Sequence, residues 1–297
     1  MSPKQARVVV GAIAIVAALE WSASARVYRD RIGDADWAAL REAVAALPEG
    51  DAVALGTPWL GPRARMEIPA LARVGSAARA DLHGVQTLHV VGLGDAWSAE
   101  LDDDLGGLAR PEPQHTLDVG PFTITSYALP GKRVLADWGD VPLQVSIDAG
   151  RCRGGGGQAF RCADGNVTVQ LAEIDYRPRF CLSFAVGDGV PVRVRQERMP
   201  LGSELRGHLG FHDYNGRLRN DTPARVVVRI DDSVVARFVV SDEEDWRAFA
   251  IPTAAGSADV EVEVTVGVLG TWGRNGIDAQ YPRRACLELR SLQEEAP

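Results

Sequence analysis

The sequence predicts an α+β protein in which a small α/β layer precedes an antiparallel β-sandwich. Two patterns predict this class: helix-like apolar spacing alternates with short apolar runs before residue 130, and short alternating runs recur after residue 141. The composition, 46% hydrophobic and 24% charged residues, is that of a globular protein and excludes intrinsic disorder, collagen and a polytopic membrane protein. We therefore expect an α/β domain over residues 30–138 and a β-sandwich domain over residues 141–293.

The first 25 residues carry the pattern of an export signal. Lys4 and Arg7 precede an apolar run at residues 8–19, which is too short for a bilayer span of ~20 residues but has the length of a signal-peptide core. Ala23 and Ala25 offer small residues at the cleavage positions. The pattern predicts a periplasmic or extracellular protein, either cleaved after Ala25 or anchored to the membrane by this segment. A buried first element of a cytosolic domain is the alternative interpretation.

Helices and strands alternate in the predicted α/β domain. Residues 34–50 place apolar side chains at helical spacing, and Asp34 or Asp36 can cap the helix. Further helices are expected over residues 68–80 and 98–108. Strands of a three- or four-stranded sheet are expected at residues 52–56, 86–92 and 122–129.

The region after residue 141 reads as a series of short strands separated by turn residues, which is typical of a sandwich. No convincing helical pattern occurs there. The expected strands lie at residues 142–147, 167–174, 180–186, 190–196, 224–230, 233–240, 247–251, 258–266 and 285–292.

The chain has four cysteines, and an even number in an exported protein predicts two disulfides. Four cysteines allow three pairings. Cys152 and Cys162 flank a Gly-rich turn that can close a hairpin, whereas Cys181 and Cys286 lie in similar strand-like runs far apart in the chain. Zinc is the competing interpretation, but the spacing contains no C-x2-C pair.

The strand-like segments of the C-terminal region follow a recognisable order. They are FCLSF (180–184), MPLGSELRGHLGFHD (199–213), PARVVVRIDDSVVARFVV (223–240), DWRAFAIPT (245–253), VEVEVTV (260–266) and RRACLEL (283–289). In order and spacing, residues 181–292 resemble the galactose-binding-like jelly-roll domains, which include carbohydrate-binding modules of bacterial sugar-active enzymes. The resemblance implies a jelly-roll sandwich. Because the first and last strands of a jelly roll are often neighbours, it also favours pairing of Cys181 with Cys286.

Two clusters of aromatic and polar residues between the expected strands are candidates for a ligand site. Sugars are bound by stacking on an aromatic ring while charged or amide groups take the hydroxyls. The alternative is that Trp272 and Tyr214 only cover the ends of the core, while Trp246, which opens a strand, is expected in the core. The candidate ligand-binding residues are Asp213, Tyr214, Arg217, Trp272, Arg274 and Asn275.

The N-terminal part carries a second resemblance. Residues 34–62, DADWAALREAVAALPEGDAVALGTPWLGP, place a Trp-bearing helix before a Gly-Asp-hydrophobic strand. This arrangement resembles the soluble part that follows the membrane helices of polytopic lipid-linked-sugar glycosyltransferases. Only one short apolar run precedes it here, so the resemblance implies an extracytoplasmic module without the catalytic membrane part.

Charged and metal-binding residue types give no strong cofactor signal. Acidic runs at residues 102–104 and 242–245 are expected to be solvated, and a structural calcium ion held by acids and carbonyls is the alternative. His208 and His212 would lie ~13 Å apart on a strand, too far to share one metal ion. We expect no other cofactor, and no catalytic residues are assigned, since no G-x-S-x-G elbow occurs. His83, His89 and His115 lie near serines and aspartates, as histidines do in any chain of this length, so a hydrolytic triad stays open without a reason to choose its members.

The sequence leaves three function classes open. The net charge of −8 argues against broad nucleic-acid binding, which needs a basic face. An exported protein that binds carbohydrate or another envelope component is the first interpretation. An accessory or catalytic role in envelope glycan metabolism is the second, and a purely structural envelope role is the third. A cluster of acid, base and nucleophile within residues 34–130 would favour an enzyme.

Overall fold

The computed structural model describes most of the chain from residue 32 onward. The described residues are 15–17, 19–20, 32–69, 71, 80–94, 97–141, 143–148, 150–155, 159–162, 165–174, 177–187, 189–212, 223–241, 246–266 and 284–294. Among them, no helix has the length and apolar character needed to cross a membrane. The expected export segment lies almost entirely outside these residues, so export stays a prediction.

Within the described residues, the α/β layer contains three short helices, two of which begin at polar capping groups. Helix α1 (Asp34–Ala45) begins after Gly33, whose N–H donates to the Asp36 carboxylate at 2.8 Å, which identifies Asp36 as the capping acid. Helix α2 (Gly61–Glu67) follows a 3-10 turn and ends at Ile68, where the backbone is extended. Most of the helix expected over residues 68–80 lies outside the described residues. Helix α3 (Ala99–Asp104) is capped by Ser98.

A four-stranded sheet forms the other half of this layer, in the order β1-β2-β4-β3. Strand β1 (Ala52–Leu55) is parallel to β2 (Thr87–Gly92), and β4 (Phe122–Ala128) is antiparallel to both β2 and β3 (Pro113–Val119). Helix α1 packs its apolar stripe on one face, where the rings of Trp37 and Phe122 lie 4.9 Å apart. The sequence did not predict β3, because its side chains are almost all exposed and lack an apolar alternation.

The rest of the chain forms two larger sheets that face each other as a β-sandwich, which confirms the predicted α+β fold class. Each run that the sequence predicts as a strand after residue 141 overlaps an observed strand. Strand β13 was indicated only by the motif at residues 199–213, and β5 was not predicted. The strands are β5 (Lys132–Asp137), β6 (Gln144–Ile147), β7 (Gly150–Arg151), β8 (Arg153–Gly155), β9 (Ala159–Cys162), β10 (Gly165–Ile174), β11 (Arg177–Ala185), β12 (Val192–Leu201), β13 (Glu204–Phe211), β14 (Ala224–Ile230), β15 (Ser233–Val240), β16 (Trp246–Pro252), β17 (Gly256–Val266) and β18 (Arg284–Glu294).

One sandwich sheet has eight strands and the other has six. The eight-stranded sheet runs β16-β13-β18-β11-β10-β9-β8, with β5 also paired to β18, and the six-stranded sheet runs β15-β14-β17-β12-β6-β7. Inward-facing aliphatic side chains of both sheets meet in one core, in which Phe184, Met199 and Val262 are fully buried. This alternation of buried and outward residues is what the sequence pattern predicted.

Both predicted disulfides are confirmed. Cys152–Cys162 closes the hairpin of β8 and β9, with a sequence separation of 10. Cys181–Cys286 joins β11 to β18 with a Cα–Cα distance of 5.5 Å. These two strands are neighbours in the eight-stranded sheet, so the pairing follows the strand order that the jelly-roll resemblance implied.

Candidate functional site

A buried network of charges joins the α/β layer to the eight-stranded sheet. Asp81, just before β2, accepts hydrogen bonds from Arg206 at 2.5 Å and from Arg290 at 2.6 Å. Arg290, which is fully buried on β18, also donates to the Glu288 carboxylate and to the main-chain oxygen of His83. Because charges cannot be buried without partners, this network ties the two layers together at a fixed place.

His208 completes the network from β13. Its Nδ1 lies 3.1 Å from the Glu288 carboxylate and its Nε2 lies 3.4 Å from the Asp81 carboxylate. Burial alone would raise the pKa of Asp81, but Arg290, His208 and Arg206 together hold it well below its usual range. Burial opposes ionisation of Glu288 in the same way, and the charge of Arg290 lowers its pKa. Both carboxylates therefore stay ionised at neutral pH.

A cleft of about 330 Å³ opens beside this network, between the loop at Asp81, the end of α3, and strands β11, β13 and β16. Gly106 permits the close approach of these elements, since its φ is +59° and an added Cβ would lie 3.0 Å from the Arg206 guanidinium. The α/β layer thus supplies one wall of the cleft, and the sandwich supplies the other. The residues that line the cleft are Ala80, Asp81, Asp103, Asp104, Gly106, Arg177, Arg179, Arg206, His208, Trp246 and Ala248.

Asp104 is the acid on the wall of the cleft whose pKa is raised. Burial raises its pKa to about 6, against the lowering effect of Arg179 and Arg177. Its Oδ1 accepts a hydrogen bond from Arg179 at 3.3 Å, whereas its buried Oδ2 has no hydrogen-bond partner among the described residues.

Trp246 provides the aromatic surface of the cleft. Its ring stacks with the imidazole of His208, with centroids 5.4 Å apart and planes inclined by 12°, and the guanidinium carbon of Arg179 lies 5.9 Å from the ring centroid. The residue was expected in the core, and it does pack against the small cluster around the Cys181–Cys286 disulfide, but it is only partly buried. It therefore serves both as packing and as cleft lining.

The predicted ligand-binding loops cannot be compared with this cleft. Asp213, Tyr214, Arg217, Trp272, Arg274 and Asn275 all lie outside the described residues. Their role in binding stays a prediction. The structure does bring together a different set of residues, which lie up to 168 positions apart, from Ala80 to Ala248, and so leave no local motif. The sequence analysis singled out the acidic run at residues 102–104, His208 and Trp246, but it gave no reason to place them together in one site.

The prediction that this acidic run is solvated is wrong for Asp104, which is 1% exposed. It is buried because Arg177 and Arg179 of the sandwich cover it, and a single chain gives no sign of such distant partners. Asp103 accepts from Arg177 at 2.9 Å and Asp102 accepts from the Trp97 ring N–H at 2.7 Å. Carboxylates already bound to guanidinium and indole donors do not fit a calcium site.

The two histidines that the sequence singled out have different surroundings. His208 is buried in the charge network, whereas His212 lies just after β13, with its Nε2 3.1 Å from the Ser183 hydroxyl. Within the described part of the chain, no group of three or more His, Cys, Asp or Glu side chains is arranged to hold a metal ion. The second acidic run, residues 242–245, lies outside that part.

A second groove of about 310 Å³ lies on the outer face of the six-stranded sheet. Its two central cations are already bound: Arg193 donates to Glu263 at 2.8 Å and Arg195 donates to Asp259 at 2.6 Å. These cross-strand ion pairs use most of the charge in the groove, and among the described residues its lining contains no aromatic side chain. The cleft at the layer boundary is therefore the better candidate site.

No protein-family model matches the chain, and no curated protein matches its sequence. Among solved structures it is similar to CBM51-2 with the INT domains of Clostridium perfringens ZmpB, in complex with GlcNAc (TM-score 0.32, 10% identity, 63% of this chain and 39% of that chain). It is also similar to the xylan-binding module CBM15 (TM-score 0.29, 10% identity, 53% and 95%). A third is the N-terminal cellulose-binding domain of Cellulomonas fimi β-1,4-glucanase C (TM-score 0.27, 12% identity, 54% and 94%). The chain spans about two-fifths of the first of these chains. Because these TM-scores are low, the description of the fold rests on the strand pairing of this chain and not on these similarities.

Proposed function

We propose that this chain is an exported protein that binds carbohydrate in the cleft between its α/β layer and its sandwich. The observation that carries the proposal is the lining of that cleft, where one tryptophan lies among guanidinium and carboxyl groups. Proteins bind sugars with this combination, since a ring face takes the apolar side of the sugar and charged groups take its hydroxyls. Two disulfides are typical of a protein that works in an oxidising compartment.

The chemistry of the wall favours a hydroxyl-rich ligand over an ion. The guanidinium groups of Arg177 and Arg179 are balanced by Asp103 and Asp104, so the cleft carries no large excess of either charge. Asp103, whose side chain is 69% exposed on the wall of the cleft, offers a carboxylate that can accept a hydrogen bond from a sugar hydroxyl. A neutral polyol can bind there without displacing an ion pair.

A glycan-array screen of the full chain tests the proposal, followed by titration calorimetry with the strongest glycan. We expect Trp246→Ala to weaken binding by ~5-fold or more, because loss of a stacking ring costs ~1 kcal/mol or more. Asp103→Asn should weaken it as well, because Asp103 is an exposed carboxylate on the wall of the cleft. Trp59→Ala is the matched control, since Trp59 is 68% exposed and does not line the cleft, and it should bind as the native chain does.

The predicted loops supply the competing location within the same experiment. If Trp272→Ala abolishes glycan binding while Trp246→Ala retains it, the cleft is not the binding site. If no glycan binds to the folded native chain, carbohydrate binding itself is wrong, and the structural envelope role becomes the better interpretation. Membrane anchoring through residues 1–25 remains a separate proposal, which fractionation of the producing cells would test.

A further inference from the structure

Three polar side chains in the four-stranded sheet form a connected hydrogen-bonded chain. The Ser126 hydroxyl on β4 lies 2.8 Å from Nδ1 of His89 on β2. The Nε2 of the same ring lies 2.9 Å from the carboxylate of Asp51, the residue immediately before β1. The His89 side chain is 6% exposed and that of Asp51 is 22% exposed. These residues are separate from the cleft and have no role in the proposed carbohydrate binding.

The chemistry of the three groups sets the direction of the hydrogen bonds. A carboxylate only accepts, so in the neutral imidazole the Nε2–H donates to Asp51. The other ring nitrogen, Nδ1, then carries the lone pair and accepts from the Ser126 O–H. The serine is therefore bonded to a base, and that base is oriented by an acid, which is the arrangement of an activated nucleophile.

The sheet places Ser126 where a small molecule can approach it. Ser126 is the register partner of His89 on one side and of His115 on the other. Phe122 and Ile124, on the same face of β4, are buried under helix α1, but Ser126 lies beyond them and is partly exposed. Strand β3 is the edge of the sheet, and its His115 is exposed, so the approach runs past this imidazole.

We infer that Ser126, His89 and Asp51 form a serine nucleophile site that hydrolyses small acyl esters. The Ser126 oxygen attacks the acyl carbon, its proton passes to His89 Nδ1, and the ester C–O bond breaks as that proton moves to the departing alkoxide. Water then attacks the acyl-serine with His89 taking its proton, which returns to Ser126 as the carboxylic acid leaves. Asp51 stabilises the imidazolium throughout, and His115, the register partner of Ser126 on β3, is the candidate donor to the oxyanion.

A buried histidine with two partners can also be purely structural, and covalent labelling separates these roles. A fluorophosphonate probe forms an O–P bond with an activated serine as fluoride leaves, whereas an ordinary serine reacts negligibly. We expect the full chain to form one adduct, mapped to Ser126 by peptide mass spectrometry. It should also hydrolyse 4-nitrophenyl acetate in multiple turnovers.

Variants of Ser126, His89 and Asp51 separate the two roles, because a purely structural role would not change the rate of probe labelling. Ser126→Ala should abolish the adduct, and His89→Gln or Asp51→Asn should slow labelling by at least ~100-fold, the usual contribution of a general base. Thr125→Ala is the matched control, because Thr125 is the neighbouring residue on the other face of β4 and should label at the native rate. Circular dichroism establishes that each variant is folded.

Two results would overturn the inference. One is the absence of an adduct at Ser126 in folded native protein. The other is labelling of His89→Gln at the native rate, which would mean that the imidazole does not activate the serine. Neither result bears on glycan binding in the cleft, so failure here is distinguishable from failure of the proposed function.

Discussion

At the scale of single residues, Asp104 shows how burial and charge compete at one carboxyl. Burial raises its pKa to about 6 from an ordinary value of 3.8, although Arg179 and Arg177 oppose the shift. An acid whose pKa is higher in the folded state stabilises the fold most when it is protonated. That contribution is fully present below pH ~4 and is lost as the pH rises through about 6.

Replacing Asp104 should therefore change how stability depends on pH. Relative to Asp104→Asn, the native chain should lose on the order of 3 kcal/mol of unfolding free energy between pH 4 and pH 7. Urea unfolding of both proteins at several pH values measures the difference. Asp103→Asn is the control, since the Asp103 side chain is 69% exposed. The difference in unfolding free energy between Asp103→Asn and the native chain should not show this pH dependence. A constant offset for Asp104→Asn would contradict the assigned pKa.

Asp104 also shows that burial caused by residues far away in the chain cannot be predicted from the local sequence. Asp104 sits in a run of three acids, and such runs are usually solvated, so the pattern favoured exposure. Its partners Arg177 and Arg179 are more than 70 positions away. Likewise, the sequence placed His89 near serines and aspartates without a reason to choose among them. Only the β2–β4 register brings Ser126 beside it.

At the scale of elements, the two disulfides constrain the unfolded chain to very different extents. Cys181–Cys286 spans 105 residues, whereas Cys152–Cys162 spans 10. In the chain-entropy model the longer loop contributes about 5 kcal/mol and the shorter about 3 kcal/mol. The longer one also fixes two adjacent strands in the middle of the eight-stranded sheet.

The double variant Cys181→Ala/Cys286→Ala should accordingly lose more unfolding free energy than Cys152→Ala/Cys162→Ala, by roughly 2 kcal/mol. Urea titrations of both variants beside the native chain give the two losses. Thiol quantification under denaturing conditions verifies that the remaining pair is oxidised. Equal losses, or a larger loss for the hairpin pair, would contradict the loop-length argument.

Elements with strong periodicity were predictable, and those without it were not. Strand β17 alternates valine with charged or polar residues, so one face is buried and its extent was clear from the sequence. Strand β3 exposes nearly all of its side chains and is held by backbone pairing to β4, which leaves no hydrophobic pattern to find. Strand β5 was missed because its partner, β18, is more than 150 residues away.

At the scale of the whole molecule, the buried network around Asp81 sets how the α/β layer meets the sandwich. Asp81 belongs to the α/β layer and is 1% exposed, while its partners Arg206 and Arg290 belong to the sandwich. The pKa of Asp81 is held below its usual range, so its contribution is present above pH ~4 and is lost as the solution becomes more acidic. Sequence alone could not connect these residues, since none is near another in the chain.

Asp81→Asn should destabilise the protein by about 3–5 kcal/mol, because it leaves Arg290 and Arg206 buried with too little negative charge. Chemical denaturation at pH 7 measures the loss, and the difference from the native chain should shrink below pH 4. Asp34→Asn is the matched control, because Asp34 forms an ion pair with Arg63 but is 93% exposed, and its stability should be unchanged. A stable Asp81→Asn protein would mean that the network is not needed to hold the layers together.

The place of β18 in the eight-stranded sheet has a consequence for the order of assembly. This strand pairs with β11 and β13 and also receives β5, yet residues 284–294 are made long after those partners. The strand edges of β11, β13 and β5 that pair with β18 therefore remain unpaired until residues 284–294 have been synthesised. Contacts between residues so far apart in the sequence also form slowly. A chain of this design is still open when synthesis reaches β18. Such a chain suits translocation in the unfolded state, and closure of Cys181–Cys286 would then mark the completion of folding.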